Sequence, residues 1–109
     1  MKKVFNYWMP DSDSHFERLI AKRVRNGGPP EYQDDVRDEA YKYVTDYDLA
    51  IDVGANVGLW AKPLAQKFNK IIAFEPMHQV LECLKLNVEN LPVEINEFRS
   101  EEHTSELQS

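Results

Sequence analysis

One cysteine stands among 109 residues, Cys83, so no disulfide can close within the chain, and a reducing, cytoplasmic setting is expected. Basic charge is also short. Thirteen Lys and Arg face 19 Asp and Glu, a net charge of −6, which argues against a nucleic-acid backbone as partner. Long apolar runs are missing: no window approaches about 18 uncharged apolar residues, so no membrane span is expected. The opening "MKKVFNYWMPDSD" reaches aspartate before an apolar stretch develops, which excludes a secretory signal. His15, His78 and Cys83 lack ligand spacing, so no metal site is expected. Glycine is scarce too, with four in all, and two of them, Gly54 and Gly58, fall within "AIDVGANVGLW", residues 50–60.

What is present alternates. Ser14 and Glu17 have capping-box spacing, and Phe16, Leu19, Ile20 and Val24 repeat at helical spacing, which predicts a helix over about 14–25, stopped by "NGGPP". A second helix is predicted over about 31–45, with Val36, Ala40, Tyr43 and Val44 on its apolar face. "DLAIDV" reads as a buried strand. Trp60, Leu64 and Phe68 mark a helix leaving the glycines, with Pro63 forcing a kink or a late start. "KIIAFE" is a second strand, positions 77, 80, 81, 84, 88 and 91 stripe a further helix opened by Pro76, and "VEINEF" is a third strand. Strand–helix–strand–helix–strand means parallel pairing with crossover helices. Doubly wound sheets of this kind carry about six strands, so three suggest the N-terminal half of one. The expected division is a helical leader over 1–46 and a partial α/β domain over 47–98.

The last stretch, "RSEEHTSELQS", residues 99–109, has no apolar periodicity. Back-translated, it matches the start of a common short-read sequencing adapter, and it is expected to be an artefactual, disordered tail. Without it Lys and Arg number 12 and Asp and Glu 16, so the net charge is 12 − 16 = −4.

The glycines narrow the chemistry. A Walker A loop needs a lysine after its last glycine, where Leu59 stands, and a dinucleotide fingerprint needs glycine at position 56, where Asn56 stands. What remains is D-x-G-x-x-x-G between a strand and a helix. Gly54 permits the turn, Gly58 permits a close helix–sheet approach, and free N–H groups there would suit a carboxylate. Glu75 ends the next strand, 23 residues after Asp52, where an acid can accept both ribose hydroxyls. An adenosine joined to something other than a diphosphate fits both features, and S-adenosyl-L-methionine answers to that description.

"AIDVGANVGLW", "IIAFEP" and "LKLNV" together resemble the FkbM family of S-adenosylmethionine-dependent methyltransferases, over about residues 47–95. "YWMPDSDSHF" and "YQDDVRDEAYKYV" are more weakly similar to leaders of phage-type or environmental members. The resemblance implies a Rossmann-like class I fold, and a cofactor loop of Asp52, Gly54, Ala55, Asn56 and Gly58. It also implies Glu75 on the ribose, with Pro76 and Met77 shaping the turn beside the adenine. Transfer to a hydroxyl of a sugar or other small acceptor is expected from the same source. Residues 1–98 offer no persuasive general base; His15 is the only one not dismissed. Trp60, Phe74 and Cys83 read as packing residues. A non-catalytic adenosine-binding or partner-binding module is the alternative, with an NAD-linked oxidoreductase third.

Overall fold

The computed structural model describes residues 1–97. The sequence expectation for residues 99–109 lies outside them. A hairpin comes first, β1 (Lys2–Val4) and β2 (Tyr7–Met9), antiparallel with Val4 opposite Tyr7. It was not expected. Its two-residue turn places Phe5 at φ +52°, where hairpin turns ordinarily use Asn-Gly or Asp-Gly, so the usual signal is missing.

Helix α1 (His15–Arg25) forms as predicted and buries Ile20, but Ser14 makes no side-chain cap. The Asp13 carboxylate accepts from the N–H groups of Phe16 and Glu17 instead, at 3.4 and 3.0 Å. Helix α2 (Asp34–Tyr41) is shorter than the expected 31–45, and its inward face is different. Val36 is 49% exposed and Tyr43 79%, while Arg37 is 2% exposed. Two charged side chains turn inward because each finds partners. Asp34 takes a bidentate grip from Arg23, at 2.8 Å for both bonds, and Arg37 is satisfied by carbonyls and Glu31.

Strands β3 (Leu49–Val53), β4 (Lys70–Phe74) and β5 (Val93–Asn96) form one parallel sheet in the order β3-β4-β5. Ile71 pairs with Ala50 on one side and Val93 on the other, and Ala73 pairs with Ile95, so the register sets apolar beside apolar where the sheet is buried. Between β3 and β4 only Ala61–Leu64 is α-helical (α3), a late start that places Pro63 in the first turn, where its missing N–H costs nothing. Helix α4 (His78–Asn87) runs between β4 and β5.

Core packing lies on one face of the sheet. Ile71 and Ala73 of β4 meet Leu64, Phe68, Leu81, Leu84 and Val88. A second cluster joins the leader to the sheet domain: Val4, Tyr7, Met9 and Ile20 pack with Val57, Leu59 and Cys83. Asn87 secures that joint. Its Nδ2 donates to the carbonyls of Trp8 and Val57, at 2.9 and 2.7 Å, and its Oδ1 accepts from Trp8 N–H at 2.7 Å. In effect Asn87 is one more rung beside β2. On the other face of β3, Leu49, Ile51 and Val53 are exposed, Val53 by 80%. Among the described residues no helix is long and apolar enough to cross a membrane.

Candidate functional site

The glycine turn follows β3 directly. Gly54 has φ +74° and nothing within 4 Å of where a Cβ would stand, so the backbone needs glycine while the space before it is open. Gly58 is the opposite case. At φ +99°, an added Cβ would lie 3.2 Å from Leu84 Cδ1 and 3.4 Å from Val88 Cγ1. Its smallness therefore serves contact with α4. Asn56 sits between them at φ +54°, a left-handed conformation asparagine tolerates.

The expected free N–H groups are not free, which corrects the argument for an anion in this turn. Gly54 and Ala55 both donate to the Phe74 carbonyl, at 2.9 and 3.0 Å, and Gly58 to the Ala55 carbonyl at 2.9 Å. Asn56 N–H donates to Glu75 Oε1 at 2.7 Å. Glu75 Oε2 accepts from Met77 N–H at 3.0 Å, so one carboxylate ties the glycine turn to the start of α4. The side chain is 5% exposed. Pro76 and Met77 form the connection into α4, with the Met77 side chain exposed, and Ala55 turns its methyl into the core.

A crevice of about 340 Å3 opens beside this turn. Asp52, Val53, Gly54, Ala55 and Asn56 form one wall. Phe16, Tyr32 and Gln33 of the leader face them, with Leu59 and Trp60 at the end. Asp52 Oδ2 is buried and has no hydrogen-bond partner among the described residues. Burial holds this carboxyl above its usual pKa, against the pull of the Ala61 backbone N–H, and the charge of Glu75 pushes the same way as burial. Among the described residues no lysine or arginine lines the crevice. The sequence pointed to Asp52 and the turn; it did not point to Phe16, Tyr32 or Gln33, because nothing in a leader's periodicity shows which sheet end it covers. His15 is exposed, with its ring edge against Phe16 at 5.0 Å, and does not line the crevice. Among the described residues no cluster of His, Cys, Asp and Glu could hold a metal.

An adjoining hollow of about 170 Å3 lies across Phe16 and Asn56, lined also by Ser12, Asp13 and Gln79.

Compared with solved structures, the chain matches phosphoethanolamine N-methyltransferase 1 of Haemonchus contortus, solved with phosphoethanolamine and S-adenosylhomocysteine, over 83% of its length at 12% identity and a TM-score of 0.55. The fold is that of the class I, Rossmann-like S-adenosylmethionine-dependent methyltransferases. A SAM-dependent methyltransferase of Leishmania major also aligns, over 73% of the chain at 19% identity and a TM-score of 0.47. The chain spans 19% of the first structure's length and 38% of the second's. No protein-family model and no curated protein sequence matches it. The resemblance to the FkbM family is thereby corrected. That family's motif pair, read on the short stretches around Gly54 and Glu75, finds no family match, and the structural likeness leads to class I enzymes outside it.

Proposed function

We propose that this chain is the donor-binding part of an S-adenosylmethionine-dependent methyltransferase. The observation that supports this reading is the charge of the crevice. Among the described residues Asp52 presents a buried oxygen with no partner, Glu75 adds a second carboxylate nearby, and no basic side chain lines the walls. The turn's amides at Gly54, Ala55, Asn56 and Gly58 are already used. A pyrophosphate would find neither cation nor amide nest. A ligand with an α-ammonium and a sulfonium finds a carboxylate waiting.

In this reading Asp52 accepts from the donor's ammonium, and the space before Gly54 admits the methionyl chain. Glu75 accepts from the ribose hydroxyls with the lone pairs its two backbone partners leave over, since each carboxylate oxygen has two. The protein's contribution to transfer is to hold donor and acceptor in line and to exclude water. Phe16, Tyr32 and Trp60 supply the apolar part of that exclusion. For the acceptor we propose a small hydroxylated molecule, such as a sugar; Ser12, Asp13, Asn56 and Gln79 around the adjoining hollow give it hydrogen-bonding partners. The leader, residues 1–46, acts here as the cover of the site rather than as a separate unit, in keeping with the core cluster it shares with the sheet domain.

Asp52→Asn tests the reading. Removing one charge-assisted bond of about 1.5–3 kcal/mol should weaken S-adenosylhomocysteine by about 10- to 100-fold in a calorimetric titration. Unchanged affinity would refute the assignment of Asp52.

A further inference from the structure

The leader meets the crevice at a strained point. Gln33 has φ +55° and ψ +36°, a left-handed conformation in a residue that is neither glycine nor asparagine. It stands where α2 would ordinarily have an extended N-cap with a short side chain bonded to its own helix, yet it caps nothing. Its Oε1 reaches away and accepts Trp60 Nε1–H at 3.0 Å. Such a backbone persists only where its surroundings over-determine it.

The surroundings are one buried guanidinium. Arg37 Nη1 donates to the Tyr32 carbonyl at 2.6 Å and to the Leu59 carbonyl at 3.4 Å, while Nη2 donates to Glu31 Oε1 at 2.8 Å. Its carbon lies 5.3 Å from the centre of the Trp60 ring. Arg37 thus grips the residue before Gln33 and the residue before Trp60, and locks the two together at the mouth of the crevice. The carboxamide N–H2 of Gln33 has no protein partner among the described residues, and Gln33 lines the same crevice as Asp52 and Gly54.

We propose that Gln33 takes the carboxylate of the donor's methionyl end, with Arg37 as its positioning residue. This rests on the donor reading above and adds a residue to it. A zwitterionic amino-acid end brings a carboxylate along with the ammonium, and the turn cannot meet it, because the N–H groups of Gly54, Ala55, Asn56 and Gly58 are spent. Gln33 and Asn56 both bring a carboxamide to that crevice, and that of Gln33 is the one held in place, by the bond its oxygen accepts from Trp60. A neutral donor suits a wall that also holds Asp52, since a cation there would pair with the acid and close the site.

The test titrates the full 109-residue chain with S-adenosylhomocysteine and with 5′-methylthioadenosine, which lacks the amino-acid end. Gln33→Gly relaxes the backbone and removes the carboxamide. It should leave the melting temperature at or above the parent's, weaken S-adenosylhomocysteine by about tenfold, and leave methylthioadenosine unchanged. Gln33→Glu keeps the shape and can still accept from Trp60, but sets a carboxylate against a carboxylate, so it should weaken S-adenosylhomocysteine further than glycine does. Equal weakening of both ligands, or tight binding by Gln33→Glu, would overturn the proposal and leave Gln33 a structural link. A parent that binds neither ligand would overturn the donor reading itself, and the proposal with it.

Discussion

Glu75→Gln keeps the volume of a buried side chain and removes its charge. In the native site each oxygen accepts one backbone N–H, from Asn56 at 2.7 Å and Met77 at 3.0 Å. Bonds to a charged group contribute about 1.5–3 kcal/mol each. Glutamine keeps one carbonyl oxygen, so one of these becomes a neutral bond of about 1 kcal/mol. Its N–H2 must then face the other amide, and a buried donor left unsatisfied costs about 1–3 kcal/mol. Relief of the repulsion with Asp52 gives a little back, being the smallest of the causes acting on that carboxyl. The net loss is about 3 kcal/mol. For a domain of about 100 residues this corresponds to a melting temperature lower by about 12 °C or more. Thermal unfolding followed by circular dichroism, with tryptophan emission as a second probe, measures it. A decrease of less than about 4 °C would mean the carboxylate does not hold the turn, and the account of Glu75 as an anchor would be refuted.

The two glycines should part company: Gly58→Ala costs about 2 kcal/mol or more, from strain at φ +99° plus contact with Leu84, and shows as a lower melting temperature. Gly54→Ala meets nothing, so its cost is strain alone, about 1–2 kcal/mol, with a disproportionate loss of S-adenosylhomocysteine affinity in the same titration. Asn87→Ala removes two hydrogen bonds that dock β2 and a third to the Val57 carbonyl, a loss of about 3 kcal/mol, and hydrogen exchange should show the amides of residues 7–9 opening before those of β4. The Asp52 carboxyl titrates higher in the fold than in the unfolded chain, so its contribution is most favourable below the unfolded pKa and is lost as pH rises through the folded value. Asp52→Asn should therefore raise the melting temperature of the ligand-free protein at neutral pH and flatten that pH dependence, which thermal melts across acid to neutral pH would check.

Much of the sheet was legible because its signals are local. Three short apolar runs, two of them ending in the acids Asp52 and Glu75, mark parallel strands whatever else the chain does. The glycines at 54 and 58 mark the turn between β3 and α3. What escaped depends on partners far along the chain. Arg37 reads as a solvated charge until Tyr32, Leu59, Glu31 and Trp60 are placed around it. Asn87 lies inside the quoted "LKLNV", on the inward side of an apolar stripe; a polar residue there was a usable signal for a buried hydrogen-bonding role. The hairpin hid behind Phe5, whose positive φ no propensity predicts. Nor can spacing reveal where backbone N–H groups go. The turn has the spacing of an anion site, but its amides at Gly54, Ala55, Asn56 and Gly58 donate to Phe74, Glu75 and Ala55.

The central claim is that this crevice was built for a cation-bearing adenosine rather than a pyrophosphate. Calorimetric titration of the 109-residue chain with S-adenosylhomocysteine and with NAD, in the same buffer, tests it most directly. Among the described residues, the unpartnered Asp52 oxygen and the absence of lysine and arginine from the walls predict saturable binding of S-adenosylhomocysteine and none of NAD. Preference for NAD, or equal affinity for both, would contradict the account.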